Sequence, residues 1–187
     1  ECVVAPSFSK DALNILSSKR NLRLLEINKN MIEPNKKGSC KSIMGGLLIQ
    51  DFDNKISNSQ EWINVTQKKP SDQQLRDLQF SWQICKHVKS NAIVIAKNEM
   101  TIGIGAGQMN RVGSAKIALE SAGIKCKDAV LASDGFFPFS DTVVLAQEYG
   151  IKAIIQPGGS MRDEESIDKC NEKGISMIFT QKRHFLH

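Results

Sequence analysis

The chain has 187 residues, with 25 Lys and Arg against 20 Asp and Glu, a formal charge of +5. That length can bury a sizeable core, and the mild basic excess suits an anionic partner. Two Trp and one Tyr offer little for bases to stack on, so nucleic acid is set aside. No apolar run approaches the ~20 residues of a membrane span, so no membrane partner is expected either.

Residues 2–5 read as a short buried strand stopped by Pro6, and Ser9 heads a helix with Ala12, Leu13, Ile15 and Leu16 at helical spacing. Residues 23–27 give a second strand. The polar stretch 28–41, with Pro34 and Gly38, reads as a surface loop. Residues 42–50 read as one strand whose central Gly45-Gly46 pair admits a neighbouring backbone. Residues 51–69 are a polar connector and the best internal boundary. The chain starts at Glu1 without Met and runs straight into strand-like sequence, so it reads as part of a longer polypeptide.

Pro70-Ser71-Asp72 opens a helix with Leu75, Leu78, Trp82, Cys85 and Val88 on its apolar face, and Asp72, Gln73, Arg76, Asp77 and Lys86 on the other. Residues 92–105 predict a hairpin turning at Asn98-Glu99-Met100. A helix follows from Gln108–Arg111 and ends at Gly123. Residues 129–132 are a strand leading into Ser133-Asp134-Gly135-Phe136-Phe137-Pro138-Phe139-Ser140-Asp141. Gly135 permits a sharp turn there, and Ser140-Asp141 caps a helix that ends near Gly150. A strand at 153–156 meets Pro157-Gly158-Gly159-Ser160, a helix runs from Arg162 to Gly174, and residues 175–179 are the last strand. The tail from Thr180 is basic and aromatic, of a kind that ordinarily frays. The order β-β-α-β-α-β-α-β predicts an α/β sandwich on a mixed, mostly parallel sheet with an antiparallel edge.

Three strand-end turns converge in such a sheet, and ligands bind outside the carboxyl ends of strands. The run Gly103-Ile104-Gly105-Ala106-Gly107 either cradles an anion at a helix N-terminus or lets strand and helix pack closely. It lacks the G-x-G-x-x-G spacing of a dinucleotide fingerprint, while Arg111 one turn on favours a ligand. The aromatic turn either faces a ligand or plugs the core. The amides of 158–160 offer a grip for a carboxylate or carbonyl. Five scattered cysteines, Cys2, Cys40, Cys85, Cys126 and Cys170, with no C-x-x-C, read as reduced thiols in a cytoplasmic protein. His87 reads as a surface or core-edge residue. His184 and His187 have no acidic or Cys partner spaced to complete a metal site.

Five motifs in register resemble one family. They are Lys89-Ser90-Asn91-Ala92-Ile93-Val94, Ile102 to Val112, Ser133 to Phe139, Gln156-Pro157-Gly158-Gly159-Ser160-Met161-Arg162-Asp163, and Arg183-His184-Phe185. Together they look like the AICAR transformylase region of the AICAR transformylase/IMP cyclohydrolase family, in its C-terminal part. The resemblance implies a cytidine-deaminase-like three-layer sandwich without zinc. Residues 1–52 would end a first transformylase subdomain, 53–71 connect, and 72–187 form a second. It implies transfer of formyl from 10-formyltetrahydrofolate, a co-substrate, to the 5-amino group of AICAR, with no metal required, in a homodimer. By match of motif, Asn91, Arg111, Phe136 and Arg183 contact the nucleotide, and Val112, Asp141, Ser160 and Met161 the folate. Gly135 stands where Ala is expected from the family pattern, and Ser140 where Arg or another residue is expected. The family's catalytic Lys-His pair lies in a K-H-x-N-P-C-G motif upstream of Glu1, and the cyclohydrolase domain is missing too. Lys86-His87 lacks that motif, so no catalytic residue is assigned and the piece alone would be inactive. The rival expectation is a non-catalytic nucleotide-binding or regulatory module using the same turns.

Overall fold

The computed structural model describes residues 1–28, 38–53 and 59–186, so most of the expected loop at 28–41 and part of the connector lie outside the described residues. The chain divides into two compact units, Glu1–Asn54 and Lys55–His187. In the first, β1 (Cys2–Ala5) and β2 (Arg23–Glu26) pair in parallel, with α1 (Lys10–Ser17) between them in sequence. Ser9 is the N-cap of α1, its Oγ accepting the Ala12 N–H at 3.1 Å. β1 is not the buried strand expected. Val4 is 52% exposed, and no described residue of this unit is buried, because two-stranded sheets bury little of their own surface.

Residues 42–50 are not one strand. β3 (Ser39–Ile43) and β4 (Gly46–Gln50) form an antiparallel hairpin. Gly45 takes φ +81°, a left-handed turn position, and nothing lies within 4 Å of a Cβ built on either glycine. The glycine pair turns the chain, and among the described residues no neighbour approaches it.

The second unit is built on a six-stranded sheet. Its strands are β5 (Ile63–Asn64), β6 (Ile93–Lys97), β7 (Met100–Gly105), β8 (Val130–Ser133), β9 (Ala153–Gln156) and β10 (Ser176–Phe179). They lie in the order β5-β10-β9-β8-β6-β7. The pairings β8–β9 and β9–β10 are parallel, while β5–β10, β8–β6 and β6–β7 are antiparallel. The sheet is therefore mixed and not mostly parallel. The hairpin β6–β7 reverses direction through Asn98 and Glu99, both at φ 54°. At the other edge, β5 comes from the stretch read as a connector.

Helices cover both faces. On one, α2 (Asp72–Cys85) packs Leu78, Trp82 and Cys85 on Val94, Ala132 and Ile155. Ser71 and Gln74 close its first turn with a reciprocal capping box. On the other, α3 (Arg111–Ala122), α4 (Asp141–Glu148) and α5 (Asp163–Lys173) pack Ala115, Leu119, Val143, Ala146 and Cys170 on Ile93, Leu131, Ile154 and Met177. Period-2 burial fails on the central strands because both faces are covered. One charge sits where helical spacing did not place it. Asp77 is 3% exposed and accepts from the Glu99 main-chain N–H at 2.7 Å, tying α2 to the β6–β7 turn.

None of the five cysteines is disulfide-bonded. Burial pushes the Cys85 thiol well above its ordinary range, aided by the Asp134 charge and opposed by Arg111. Burial also raises Cys126 and pushes Cys170 up to about 12. Cys2 and Cys40 are exposed. A thiol reagent at pH 8 is expected to modify two cysteines quickly and three only on unfolding. The raised thiols keep their protons in the native state while the unfolded chain loses them above its ordinary value of 9.0. The stability they contribute is complete below that value and declines as pH rises toward 12. Fast labelling of Cys85, Cys126 or Cys170 in the folded protein would contradict this arrangement.

Candidate ligand site at the strand ends

Arg111, the first residue of α3, is 8% exposed and turns its guanidinium inward. Nη1 donates to Ser133 Oγ at 3.0 Å and to the Asp134 carboxylate, and Nη2 donates to Asn91 Oδ1 at 3.1 Å. Asp134 is fully buried, so the pair satisfies a charge that would otherwise be severely penalised. Asn91 is held in turn, its Nδ2 donating to the Gln108 carbonyl at 2.8 Å, while Ser114 Oγ donates to the Asn91 carbonyl at 2.7 Å.

These groups open onto a cavity of about 340 Å³ lined by Asn91, Met109, Asn110, Arg111, Phe136, Pro138 and Phe185. The three Phe of the aromatic turn divide the two expected roles. Phe137 is fully buried and plugs the core, Phe136 lines the cavity, and Phe139 lies beneath Arg162, whose guanidinium carbon is 4.8 Å from the ring centre. Gly135 serves space. A Cβ there would strike Arg111 Nη2 and come within 2.9 Å of the Phe185 ring.

Through Leu186 the tail is bonded down rather than frayed. Thr180 and Gln181 N–H groups donate to the Gln156 and Pro157 carbonyls at 3.0 and 2.9 Å, and His184 N–H donates to the Asp134 carbonyl at 3.0 Å. The chain thus crosses the ends of β9 and β8 and sets Arg183 over Phe136, 4.9 Å from guanidinium carbon to ring centre. Such stacking is attractive by about 0.5–2 kcal/mol. Among the described residues Arg183 faces no carboxylate, whereas Arg111 is already matched by Asp134. The two arginines therefore offer different chemistry. Arg111 is a neutralised donor fork, and Arg183 brings net positive charge.

Other expected contacts resolve differently. Gly103 and Gly105 make room for α3, since a Cβ on either would meet the Ala118 or Ser114 main-chain oxygen. The N-terminus of α3 is capped by Asn110, whose Oδ1 accepts the Gly113 N–H at 2.7 Å, so that amide is satisfied from within the chain. At the second glycine turn, Asp163 Oδ2 accepts the N–H groups of Gly159 and Ser160 at 2.7 and 3.2 Å. Those amides are satisfied from within the chain. Ser140 makes no capping bond, and Asp141 Oδ1 accepts from Thr142 N–H at 2.7 Å instead. Val112, Asp141, Ser160 and Met161 lie outside the cavity lining, with Met161 fully exposed at 104%.

Sequence reasoning passed over Gln156. This buried side chain accepts the N–H groups of Phe137 at 3.1 Å and Gly158 at 3.4 Å, locking the aromatic turn to the glycine turn. Gln156→Leu is expected to cost roughly 1–3 kcal/mol, because two buried donors lose their partner. A urea midpoint unchanged from the parent would count against that lock. Among the described residues, no group of three His, Cys, Asp or Glu is placed to hold a metal, and no helix is long and apolar enough to cross a membrane.

The second unit is an α/β/α layer structure with an aromatic cavity at its strand ends that Arg111 lines, the place where open α/β sheets take small ligands. Residues 1–121 match the model of the AICARFT/IMPCHase bienzyme family, and the chain belongs to that family. It is similar to the bifunctional purine biosynthesis protein PurH of Prochlorococcus marinus. The identity is 69% for strain AS9601 and 70% for strain MIT 9215, each over all 187 residues of this chain and 36% of the relative. The chain thus spans about a third of the length of these curated relatives. Acinetobacter baumannii RibD, form 1, overlaps 55% of this chain and 34% of its own at 15% identity, with a TM-score of 0.42. That overlap is too slight to bear on the fold.

Proposed function

We propose that this chain supplies the nucleotide-binding part of an AICAR formyltransferase acting in purine (IMP) biosynthesis in the cytoplasm. The reaction moves formyl from 10-formyltetrahydrofolate to the 5-amino group of AICAR. The observation that carries this reading is the meeting of Arg111, Asn91, Phe136 and the tail residue Arg183 from four separate segments, in a chain of the AICARFT/IMPCHase family. Arg183 suits the phosphate, the Phe136 face suits an imidazole ring, and Arg111 with Asn91 suits a carboxamide. On the family likeness, the fold is a cytidine-deaminase-like sandwich, and Val112, Asp141, Ser160 and Met161 take the folate. The acid–base chemistry is not assigned to this chain. Hairpin residues Ile43, Met44, Leu47 and Ile49 are 56%, 102%, 64% and 71% exposed, an apolar surface suited to the homodimer of this reading.

The test is titration of AICAR into the full-length protein and two variants. Arg183→Ala is expected to weaken binding by about ten- to a hundredfold, the worth of a charge-assisted hydrogen bond of roughly 1.5–3 kcal/mol. Stability should fall by no more than about 0.5–2 kcal/mol, the worth of the stacking on Phe136. Arg183→Lys should restore only part, since an ammonium lacks the planar fork. Equal affinities for all three proteins would remove Arg183 from the site. No affinity for AICAR in the parent protein would overturn the reading itself.

A further inference from the structure

We infer that Asp134 and Ser90 together are positioning residues that seat the C-terminal strap, making the Arg111 side of the cavity and its Arg183–Phe185 side a single coupled unit. The inference rests on the AICAR reading only for the choice of probe. Asp134 is fully buried and uses three acceptors on two different structures. One carboxylate oxygen takes Arg111 Nη1, the other takes the Ser90 hydroxyl, and its main-chain carbonyl takes the His184 N–H at 3.0 Å. Ser90 carries the link onward. Its N–H donates to the Leu186 carbonyl at 2.9 Å, and its Oγ accepts the Leu186 N–H at 3.1 Å.

The strap is therefore held on both sides of Phe185. Residues 184 and 186 are tied inward, and the His184 ring is buried 4.5 Å from the Trp82 ring centre. Residues 183 and 185 turn their side chains to the cavity side. Arg183 reaches Phe136, and the Phe185 ring lines the cavity. Arg183 also lies 5.8 Å from the Phe185 ring centre, so the two strap side chains form one wall. The carboxylate that fixes Arg111 is thus the carboxylate that, through Ser90, anchors this wall. A ligand touching both walls stabilises the strap, and loosening the strap weakens the ligand by the same factor.

A merely structural Ser90 would affect stability and leave the coupling between sites absent, which a double-mutant cycle measures. In the full-length protein, Ser90→Ala is expected to weaken AICAR about five- to tenfold, the part of one lost hydrogen bond that the strap passes on to the ligand. In the Arg183→Ala, Phe185→Ala background the same change should cost less than about twofold, because the wall it seats is gone. Ser90→Cys, near in size but a poor hydrogen-bonding group, should repeat the pattern if the alanine variant fails to fold. Hydrogen exchange supplies a readout independent of the ligand. Ser90→Ala and Asp134→Asn should each speed exchange of the Leu186 amide, and AICAR should slow it in the parent. Equal fold-losses in both backgrounds, or Leu186 exchange unchanged in Ser90→Ala, would overturn the coupling. If the parent fails to bind AICAR while the variants still free the Leu186 amide, the proposed function falls and the strap linkage stands.

Discussion

Replacing Arg111 by Met is expected to lower stability by about 3–5 kcal/mol, the usual cost of breaking one side of a buried ion pair. The methionine stem fills much of the space of the arginine stem, so cavity formation contributes little. The cost falls on Asp134, which is fully buried and loses its only salt-bridge partner among the described residues. Ser133 and Asn91 each lose a donor as well. Asp134→Leu in the Arg111→Met background should recover most of the loss, since two apolar groups leave no charge uncompensated. AICAR binding should not recover with it, because the donor fork stays absent. Urea unfolding of the single and double variants decides the matter. A loss under about 1 kcal/mol for Arg111→Met, or no recovery in the double variant, would show that Arg111 and Asp134 do not form a buried ion pair.

Much of the second unit was legible because its signals are local. The hairpin at Asn98-Glu99, the capping serine before Asp72, and the glycines ending α3 and α5 each act within four residues of themselves. The order from β6 to β10 followed from them. The direction of the sheet was less legible. β5 is two residues long and pairs with β10 more than a hundred positions later, which no local pattern encodes. Asp77 looked like a solvated charge because helical spacing cannot see the amide of Glu99 across the sheet. Gln156 closed an apolar strand and gave no hint that two turns lean on its carboxamide. In the site, Arg111, Asn91, Phe136 and Arg183 were singled out, yet sequence did not reveal that Asp134 neutralises one arginine and leaves the other its charge. The first unit was misread where glycine had two meanings, and Gly45 took the turn.

Gly105→Ala is expected to cost about 3 kcal/mol, at the upper end of what overpacking a core ordinarily costs. A Cβ at this position would lie against the main-chain oxygen, carbon and Cα of Ser114, which cannot rotate aside as a side-chain tip can. Helix α3 must therefore move as a body away from β7. Arg111 begins that helix and Ser114 lies one turn on, its hydroxyl bonded to the Asn91 carbonyl, so the movement also draws Arg111 out of register with Ser133, Asp134 and Asn91. Stability and AICAR affinity should fall together, although residue 105 itself lines no part of the cavity. Gly46→Ala supplies the control, since nothing lies within 4 Å of its Cβ, and its stability change should stay within about 0.5 kcal/mol. A Gly105→Ala protein as stable as the Gly46→Ala protein would mean that β7 and α3 are not packed backbone to backbone. A destabilised Gly105→Ala protein that keeps full AICAR affinity would uncouple the helix position from the site.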